Sequence, residues 1–190
     1  MNITEAIKRG DHILKKNRIK SYKLDSEILM SKVLKKDRTD IILNSHLKLS
    51  DKELKTYNDL IAQRSKKKPI AYLTGKKAFW KYEFDITKDV LIPRPDTETI
   101  VEQTLKLTKN KFRLKILDIG IGSGCILLSV LKERKNFYGT GIDICKKNLD
   151  ICKTNMKKLK LINRVRLFKS DIDNFSYGKY DLIVSNPPYI

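Results

Sequence analysis

The sequence contains few of the residues that build metal centres and disulfide frameworks. Its 190 residues include only two histidines, His12 and His46, which lie far apart in the chain. The three cysteines, Cys125, Cys145 and Cys152, are an odd number and have no CxxC spacing. This pattern indicates neither a zinc site nor a disulfide framework. We therefore expect no bound metal and a reducing compartment, of which the cytoplasm is the simplest.

Long apolar runs are also absent. No run approaches the roughly 20 residues that a membrane-spanning helix needs. Residues 1–17 mix acidic and basic side chains with apolar ones, so they lack the apolar core of a signal peptide. The composition, 41% hydrophobic and 33% charged, is typical of a globular protein that can bury a core in one large domain or two small ones. We expect no membrane partner.

Acidic residues are scarce relative to basic ones: 22 Asp and Glu face 41 Lys and Arg, which gives a formal net charge of +19. Such a charge attracts polyanions such as RNA. It also arises by compositional drift, since Lys, Ile and Asn are all abundant. Both halves of the chain carry the excess, and an even spread favours drift over a dedicated nucleic-acid face. Proximity to ribosomal RNA would suit either interpretation.

The first part of the chain, residues 1–73, predicts a small helical domain of about four helices. Apolar residues recur at helical spacing in residues 25–36 and again in residues 51–64. Ser50 and Glu53 have the spacing of a capping box at the start of the second of these helices, and Pro69 is expected to end it.

The pattern then changes to that of strands. Residues 74–94 are predicted to form a β-hairpin linker, in which "AFWKYEFDI" is one strand and "KDVLI" its partner. Asp96 in "PRPDTE" is a suitable N-cap for a following helix. From residue 114, short apolar segments alternate with helical ones. This alternation predicts an α/β domain over residues 95–190 with a parallel, doubly wound, Rossmann-like sheet.

The segment "ILDIGIGSGC" places three glycines directly after the first strand of that sheet, at Gly120, Gly122 and Gly124. Glycine is needed where the backbone takes positive φ or where a ligand approaches closely. This turn lies at the carboxyl end of a strand, where open α/β sheets bind ligands. A tight connection without a ligand is the alternative. The spacing fits neither a dinucleotide site nor a phosphate-binding P-loop.

Polar residues also end the later strands. Asp143 ends the second strand, where a carboxylate can accept hydrogen bonds from ribose hydroxyls or can cap the next helix. Asp171 follows the third strand, where it can equally be an ordinary loop residue. "SNPPYI" follows the fourth, and there Asn186 and Tyr189 lie beside the glycine turn. A Pro-Pro turn that only ends a strand is the alternative.

The glycine turn resembles motif I of class I S-adenosylmethionine-dependent methyltransferases, and "NPPY" resembles the motif of enzymes that methylate a planar nitrogen. The resemblance implies S-adenosylmethionine as the cofactor, and it implies that Asp171 approaches its adenine. The implied cofactor-binding residues are Asp118, Gly120, Ile121, Gly122, Ser123, Gly124, Asp143, Asp171, Ile172 and Asn186. The implied substrate-binding residues are Asn186, Pro187, Pro188 and Tyr189, of which Asn186, Pro187 and Tyr189 are the catalytic ones.

The chemistry explains these residue types. A planar nitrogen has a delocalised lone pair, so a site must draw its hydrogens into bonds that favour a more pyramidal geometry. The Asn186 side-chain oxygen and the Pro187 carbonyl can accept those hydrogens, and the prolines fix the backbone that carries them. The Tyr189 ring can pack on the planar group. The nitrogen loses its proton after methyl transfer, so no base is needed beforehand.

Two further segments, "PIAYLTGKKAFW" and "LIPRPDTE", make the whole chain resemble the HemK/PrmC family of release factor glutamine methyltransferases. The resemblance implies N5 methylation of the glutamine in the Gly-Gly-Gln (GGQ) loop of peptide-chain release factors. The helical domain would bind the factor, and Arg94 and Glu98 would lie near the active site. We expect a monomer.

The chain departs from the family at three places. Ile121 replaces a usual Thr, and Ile172 occupies a position that is often aromatic, which predicts weaker cofactor binding. The sheet has four predicted strands where the family has seven, so we expect a truncated chain that is poorly soluble or inactive alone. The alternatives to a glutamine methyltransferase are a nucleic-acid methyltransferase acting on an exocyclic amine and an inactive remnant.

Overall fold

The computed structural model describes residues 1–187 and divides the chain into two compact units, Met1–Gly75 and Lys76–Ile190. Each unit has its own apolar core. The predicted fold class is confirmed: the first unit is helical, and the second contains a parallel sheet flanked by helices. Three residues of the predicted "SNPPYI" site lie outside the described residues: Pro188, Tyr189 and Ile190.

The first unit contains five helices within residues 1–75, one more than predicted. The capping box of Ser50 and Glu53 is present. The prediction that Pro69 ends that helix was wrong, because the helix already ends at Ser65 and Pro69 is the N-cap of the next one. The helices are α1 (Ile3–Lys16), α2 (Tyr22–Leu34), α3 (Arg38–Leu43), α4 (Asp51–Ser65) and α5 (Ile70–Thr74).

The core of this unit depends on close contact between α1 and α4. A Cβ added to Gly10 would overlap the Tyr57 hydroxyl oxygen, so a larger residue would require the Tyr57 side chain or the helices to shift. A buried ion pair joins α2 to α4, with 2.6 Å between Arg64 Nε and Asp25 Oδ2. Ser21 Oγ also donates to this carboxylate, so the buried charge is both paired and hydrogen-bonded.

The second unit begins with an antiparallel hairpin of β1 (Lys76–Phe79) and β2 (Tyr82–Asp85). The predicted pairing of "AFWKYEFDI" with "KDVLI" was wrong, because the first segment forms both strands itself. Trp80 takes φ = +56° and turns the chain between them. The Trp80 backbone N–H donates to Glu98 Oε1 at 2.8 Å, which stabilises this unusual conformation.

The rest of the unit alternates strand and helix. The prediction that Asp96 is a helix N-cap was wrong. Asp96 lies inside a 3-10 turn, Pro95–Thr97, and the N-cap of the helix that follows is Thr97, without a side-chain cap bond. The elements are α6 (Glu98–Leu107), β3 (Lys115–Ile119), α7 (Cys125–Glu133), β4 (Tyr138–Asp143), α8 (Lys146–Lys158), β5 (Val165–Lys169) and β6 (Leu182–Ser185).

The four strands form a parallel sheet in the order β5-β4-β3-β6. Ile119 at the end of β3 pairs with Ile142 of β4 and with Ser185 of β6. The carboxyl ends of the strands therefore meet at one edge, which brings the glycine turn, Asp143 and Asn186 to the same side of the sheet. Within residues 1–187, no helix is long and apolar enough to span a membrane.

Candidate functional site

The glycine turn after β3 takes a conformation that side chains rarely adopt. Gly120, Gly122 and Gly124 have φ of +71°, +54° and +81°. The backbone N–H groups of Gly120 and Ile121 both donate to the Ile142 carbonyl at 2.9 Å, which ties the turn to β4. A Cβ added to Gly120 would meet nothing within 4 Å, so this part of the turn faces open space at the site.

Gly124 has a different role in the same turn. A Cβ there would lie 2.7 Å from Cys152 Sγ and 2.9 Å from Leu128 Cδ1. This glycine therefore lets α7 and α8 approach closely, and it faces the core and not a ligand. Ser123 and Ile121 are also buried, at 3% and 4% exposure, so the open surface of the turn is its backbone around Gly120.

A buried amide supports the turn from below, and the sequence analysis missed it. Asn155 of α8 is fully buried, and its Nδ2 donates to the carbonyls of Ser123 at 2.9 Å and Asp85 at 3.0 Å. Its Oδ1 accepts from the Asp85 N–H at 2.8 Å. The signal was available, because Asn155 lies between Cys152 and Met156 on the buried face of an amphipathic helix.

Asp143 ends β4, as predicted, and its carboxylate holds the turns around it. Oδ2 accepts from the Gly122 N–H at 3.0 Å, and Oδ1 accepts from the Cys145 N–H at 2.8 Å. The second bond orders the start of α8. Asn148 Nδ2 donates to both oxygens. The N-cap of α8 is Cys145, without a side-chain cap bond, so Asp143 orders the residue before the helix and is not its cap. Its binding to ribose stays a prediction.

Asp118 lies beneath the glycine turn and is only 1% exposed. Its Oδ2 is buried without a hydrogen-bond partner among the described residues. Burial, reinforced by the nearby Asp143 carboxylate, raises the pKa of the Asp118 carboxyl from its usual 3.8 to about 7. A cofactor contact by this residue stays a prediction, and any such contact needs the turn above it to open a path.

The loop after β5 places Asp171 and Ile172 at the surface. Asp171 Oδ1 accepts from the Asn174 N–H at 2.9 Å, so the carboxylate closes a local turn. Ile172 is 50% exposed. Their predicted adenine contacts are untested and remain predictions.

Asn186 follows β6 and is held by a residue that the sequence analysis did not single out. Asn186 Nδ2 donates to Thr97 Oγ1 at 3.0 Å across 89 residues of chain. Thr97 is buried at 7% exposure and ends the 3-10 turn of "PRPDTE". This bond joins the "PRPDTE" segment to the "NPPY" segment. Glu98, in contrast, bonds to the hairpin through Trp80.

The strand below Asn186 is fixed as well. Ser185 Oγ donates to the Ile119 carbonyl at 2.9 Å, which joins the end of β6 to the start of the glycine turn. Pro187 is exposed next to Asn186. The site therefore consists of an open backbone turn, a carboxylate at Asp143 and an amide held in one orientation. These groups lie at the carboxyl ends of a parallel sheet, which is where open α/β folds bind ligands.

Comparison with known proteins identifies the class of this site. Residues 95–190 match the family described as methyltransferase small domain, and residues 5–75 match the PrmC N-terminal domain. The second unit is thus a methyltransferase domain of the S-adenosylmethionine-dependent kind. The two matched domains occur here in one chain, and relatives that share the whole chain carry one family name. The chain therefore belongs to the release factor glutamine methyltransferase family.

Relatives from several bacteria carry that family name. The protein of Buchnera aphidicola subsp. Baizongia pistaciae is 42% identical over the whole chain, and that of Clostridium acetobutylicum is 39% identical over the whole chain. The chain covers 68% of each. The protein of Caulobacter vibrioides is 36% identical over 88% of the chain, which covers 58% of it. The chain thus spans about three fifths to two thirds of its relatives' length.

The residues present fit S-adenosylmethionine. The open space at Gly120 allows close approach to the backbone, and a larger group at this position would fill it. Gly120 and Gly122 would lie against the cofactor, and Asp143 would receive its ribose hydroxyls. The buried Asp118 would support the turn from below.

The open glycine gives a direct test of this fit. In Gly120→Ala, the added methyl group occupies the space of the ligand, so we expect S-adenosylhomocysteine to bind at least about tenfold more weakly by calorimetry. The positive φ should cost only about 1 kcal/mol of stability, measured by fluorescence of Trp80, the one tryptophan. Gly178→Ala, with φ of +85° in another loop, is the matched control and should bind normally. Equal binding by both variants would contradict the fit.

The buried carboxyl predicts how stability depends on pH. The folded protein holds the Asp118 proton more tightly than the unfolded chain does. The contribution of this proton to the free energy of unfolding is therefore fully present below about pH 4 and is lost as pH rises through about 7. Urea unfolding followed by Trp80 fluorescence should show wild-type stability falling relative to Asp118→Asn as pH rises. Parallel curves for the two proteins between about pH 4 and about pH 8 would contradict the buried, proton-binding state.

Proposed function

We propose that this protein transfers a methyl group from S-adenosylmethionine to the side-chain amide nitrogen of the glutamine in the GGQ motif of peptide-chain release factors. The observation that carries the proposal is the bond from Asn186 Nδ2 to Thr97 Oγ1. Relatives at 36–42% identity are named release factor glutamine methyltransferases. Action on release factors would take place in the cytoplasm.

The orientation of Asn186 suits an amide substrate. An asparagine side chain has one donor end and one acceptor end. Because Nδ2 donates to Thr97, Oδ1 is left to accept a hydrogen bond from the substrate NH₂ group. The Pro187 carbonyl is the second acceptor beside it. Two fixed acceptors hold the nitrogen in one place and favour the pyramidal geometry that methyl transfer requires.

When bound, S-adenosylmethionine supplies an electrophilic methyl group on its sulfonium sulfur. The residues of this chain orient the acceptor nitrogen toward it. The amide nitrogen becomes strongly acidic once it is alkylated, so its proton leaves to water without a dedicated base. This explains how the site can work with no histidine near it in the sequence. We further propose that Tyr189 packs on the planar amide and that the helical unit binds the release factor.

The proposal is tested by offering the protein competing substrates. With methyl-labelled S-adenosylmethionine, we expect label on a release factor that contains the GGQ motif and none on a variant whose motif glutamine is alanine. Ribosomal RNA and DNA serve as alternative acceptors in the same assay. Label on nucleic acid but not on the release factor would assign the activity to an exocyclic amine instead, and label on no acceptor would show an inactive chain.

Thr97 provides a finer prediction. Thr97→Val keeps the shape of the side chain but removes the acceptor, so the Asn186 amide can rotate and present the wrong end. We expect kcat for methyl transfer to fall about tenfold or more, in line with the loss of one orienting hydrogen bond. S-adenosylhomocysteine affinity should stay unchanged.

The matched control is Thr97→Ser, which keeps the hydroxyl and should retain most of kcat. A purely structural role would lower the unfolding free energy and kcat of both variants together. Equal kcat for valine and threonine at this position would show that Thr97 does not orient Asn186.

A further inference from the structure

A cavity of about 430 Å³ opens at the amino ends of β3, β4 and β5, the edge of the sheet opposite to the glycine turn. Its lining includes Lys115 at the start of β3, Tyr138 at the start of β4 and Val165 at the start of β5. Tyr177 and Lys179, from the loop before β6, complete one wall. The volume lies in the range of small-molecule sites, and the cavity is separate from the candidate methyl-transfer site.

The lining is strongly basic. It contains five cationic side chains and no Asp or Glu. One of the five, Arg164, has a structural role, because its guanidinium donates to the carbonyls of Leu131, Arg134, Lys135 and Phe137 near the end of α7. The other four are Arg113, Lys115, Arg166 and Lys179, and all are exposed. Among the ion pairs of residues 1–187, none involves these four.

An acidic residue next to the lining, Asp181, is engaged by the backbone. Asp181 Oδ2 accepts from the Lys115 backbone N–H at 2.7 Å, and the Asp181 N–H donates to the Lys115 carbonyl. This carboxylate joins β3 to the start of β6 and forms no ion pair with the Lys115 side chain. The cationic groups of the cavity therefore keep their capacity for an added anion.

Two tyrosine rings stand among these cations. Tyr138 is 40% exposed with the Arg113 guanidinium 5.0 Å from its ring centroid, and Tyr177 is 47% exposed. Tyr177 is held by Phe168, whose ring centroid lies 4.9 Å away, and its hydroxyl accepts from Arg166 Nη1. A fixed, half-exposed ring beside unpaired cations can stack a base while the cations bind the phosphate.

We propose that this cavity is a nucleotide-phosphate site, formed by Arg113, Lys115, Arg166 and Lys179 with Tyr138 and Tyr177. Its ligand is a nucleotide of single-stranded RNA or a free mononucleotide, which share a phosphate and a planar base. Inorganic anions satisfy the cations but leave the rings unused, so a nucleotide fits the lining better than phosphate alone. The site goes beyond methyl transfer and does not depend on it.

The test measures binding of a fluorescein-labelled oligouridylate of about six residues to the 190-residue protein by anisotropy, without methyl donor or release factor. The cavity variant is Arg113→Gln/Lys115→Gln/Lys179→Gln. The control variant is Arg9→Gln/Lys52→Gln/Lys55→Gln, which removes the same charges from exposed positions on α1 and α4. Circular dichroism and thermal unfolding confirm that both variants fold.

We expect the cavity variant to bind at least about tenfold more weakly and to lose about two units of salt dependence, at roughly 0.7 per phosphate contact. The control should change less than about threefold. Tyr177→Leu should weaken binding several-fold at unchanged salt dependence, because it removes stacking only. If uridine monophosphate displaces the oligomer with the affinity expected for a single nucleotide, the ligand is a mononucleotide. If uridine monophosphate does not displace the oligomer, the ligand is single-stranded RNA.

Two results would overturn the proposal. Equal losses in the cavity and control variants would show attraction by overall charge alone. Competition by inorganic phosphate as strong as that by the mononucleotide would remove the role of the rings. Saturating S-adenosylhomocysteine should leave oligomer binding unchanged, so a failure here is distinguishable from a failure of the proposed methyl transfer.

Discussion

Strand β3 forms parallel hydrogen-bonded pairs with β4 on one side and β6 on the other, and the candidate site depends on the register of both pairs. In this register the glycine turn begins level with the end of β4 and the end of β6. A slip by one residue would reverse the faces to which the side chains of a strand point. Asp118 would then leave the core, and Asn186 would lose its position beside the turn.

A second constraint comes from the side of the turn away from solvent. Asn155 uses its amide to bond the hairpin at Asp85 and the glycine turn at Ser123, and it is fully buried. Loss of this amide would leave the Asp85 N–H and the carbonyls of Asp85 and Ser123 without these bonds, which is costly. The hairpin is therefore attached to the rest of the second unit by directed hydrogen bonds, and the same amide supports the glycine turn beneath its open backbone.

Local sequence signals predicted most of the second unit. The β3–turn–α7 sequence could be recognised because apolar strand, glycines and helix follow one another within residues 115–133. The hairpin could not be placed correctly, because its turn uses Trp80 at positive φ, which a sequence pattern disfavours. Asp96 was expected to cap a helix, but the chain formed a 3-10 turn first.

The missed residues share a different cause. Thr97 and Asn155 both form hydrogen bonds to residues far away in the sequence. The Thr97 partner is 89 residues away, and the two Asn155 partners are 32 and 70 residues away. No periodicity reports such pairs, because they exist only once the sheet has aligned its strands. Asn155 did leave a trace as a polar residue on a buried helical face, whereas Thr97 left none beside its more conspicuous neighbours Asp96 and Glu98. The sequence pattern drew attention to this segment but not to Thr97, whose bond to Asn186 appears only in the fold.

The ion pairs of the described residues distinguish the basic residues around the hairpin from those that line the cavity. Compositional drift, the interpretation favoured by the even spread of charge, would make no distinction between paired and unpaired lysines. Around the hairpin, Lys158 bonds to Glu83 and Asp85, and Lys81 bonds to Glu133. At the amino ends of the strands, the cavity lining has cations and no carboxylate. Like charges near one another repel, so such a cluster lowers stability unless an anion is drawn to it. Drift in composition would not by itself leave these cations without ion pairs among the described residues, because a carboxylate bonded at this edge, Asp181, is engaged by the Lys115 backbone N–H.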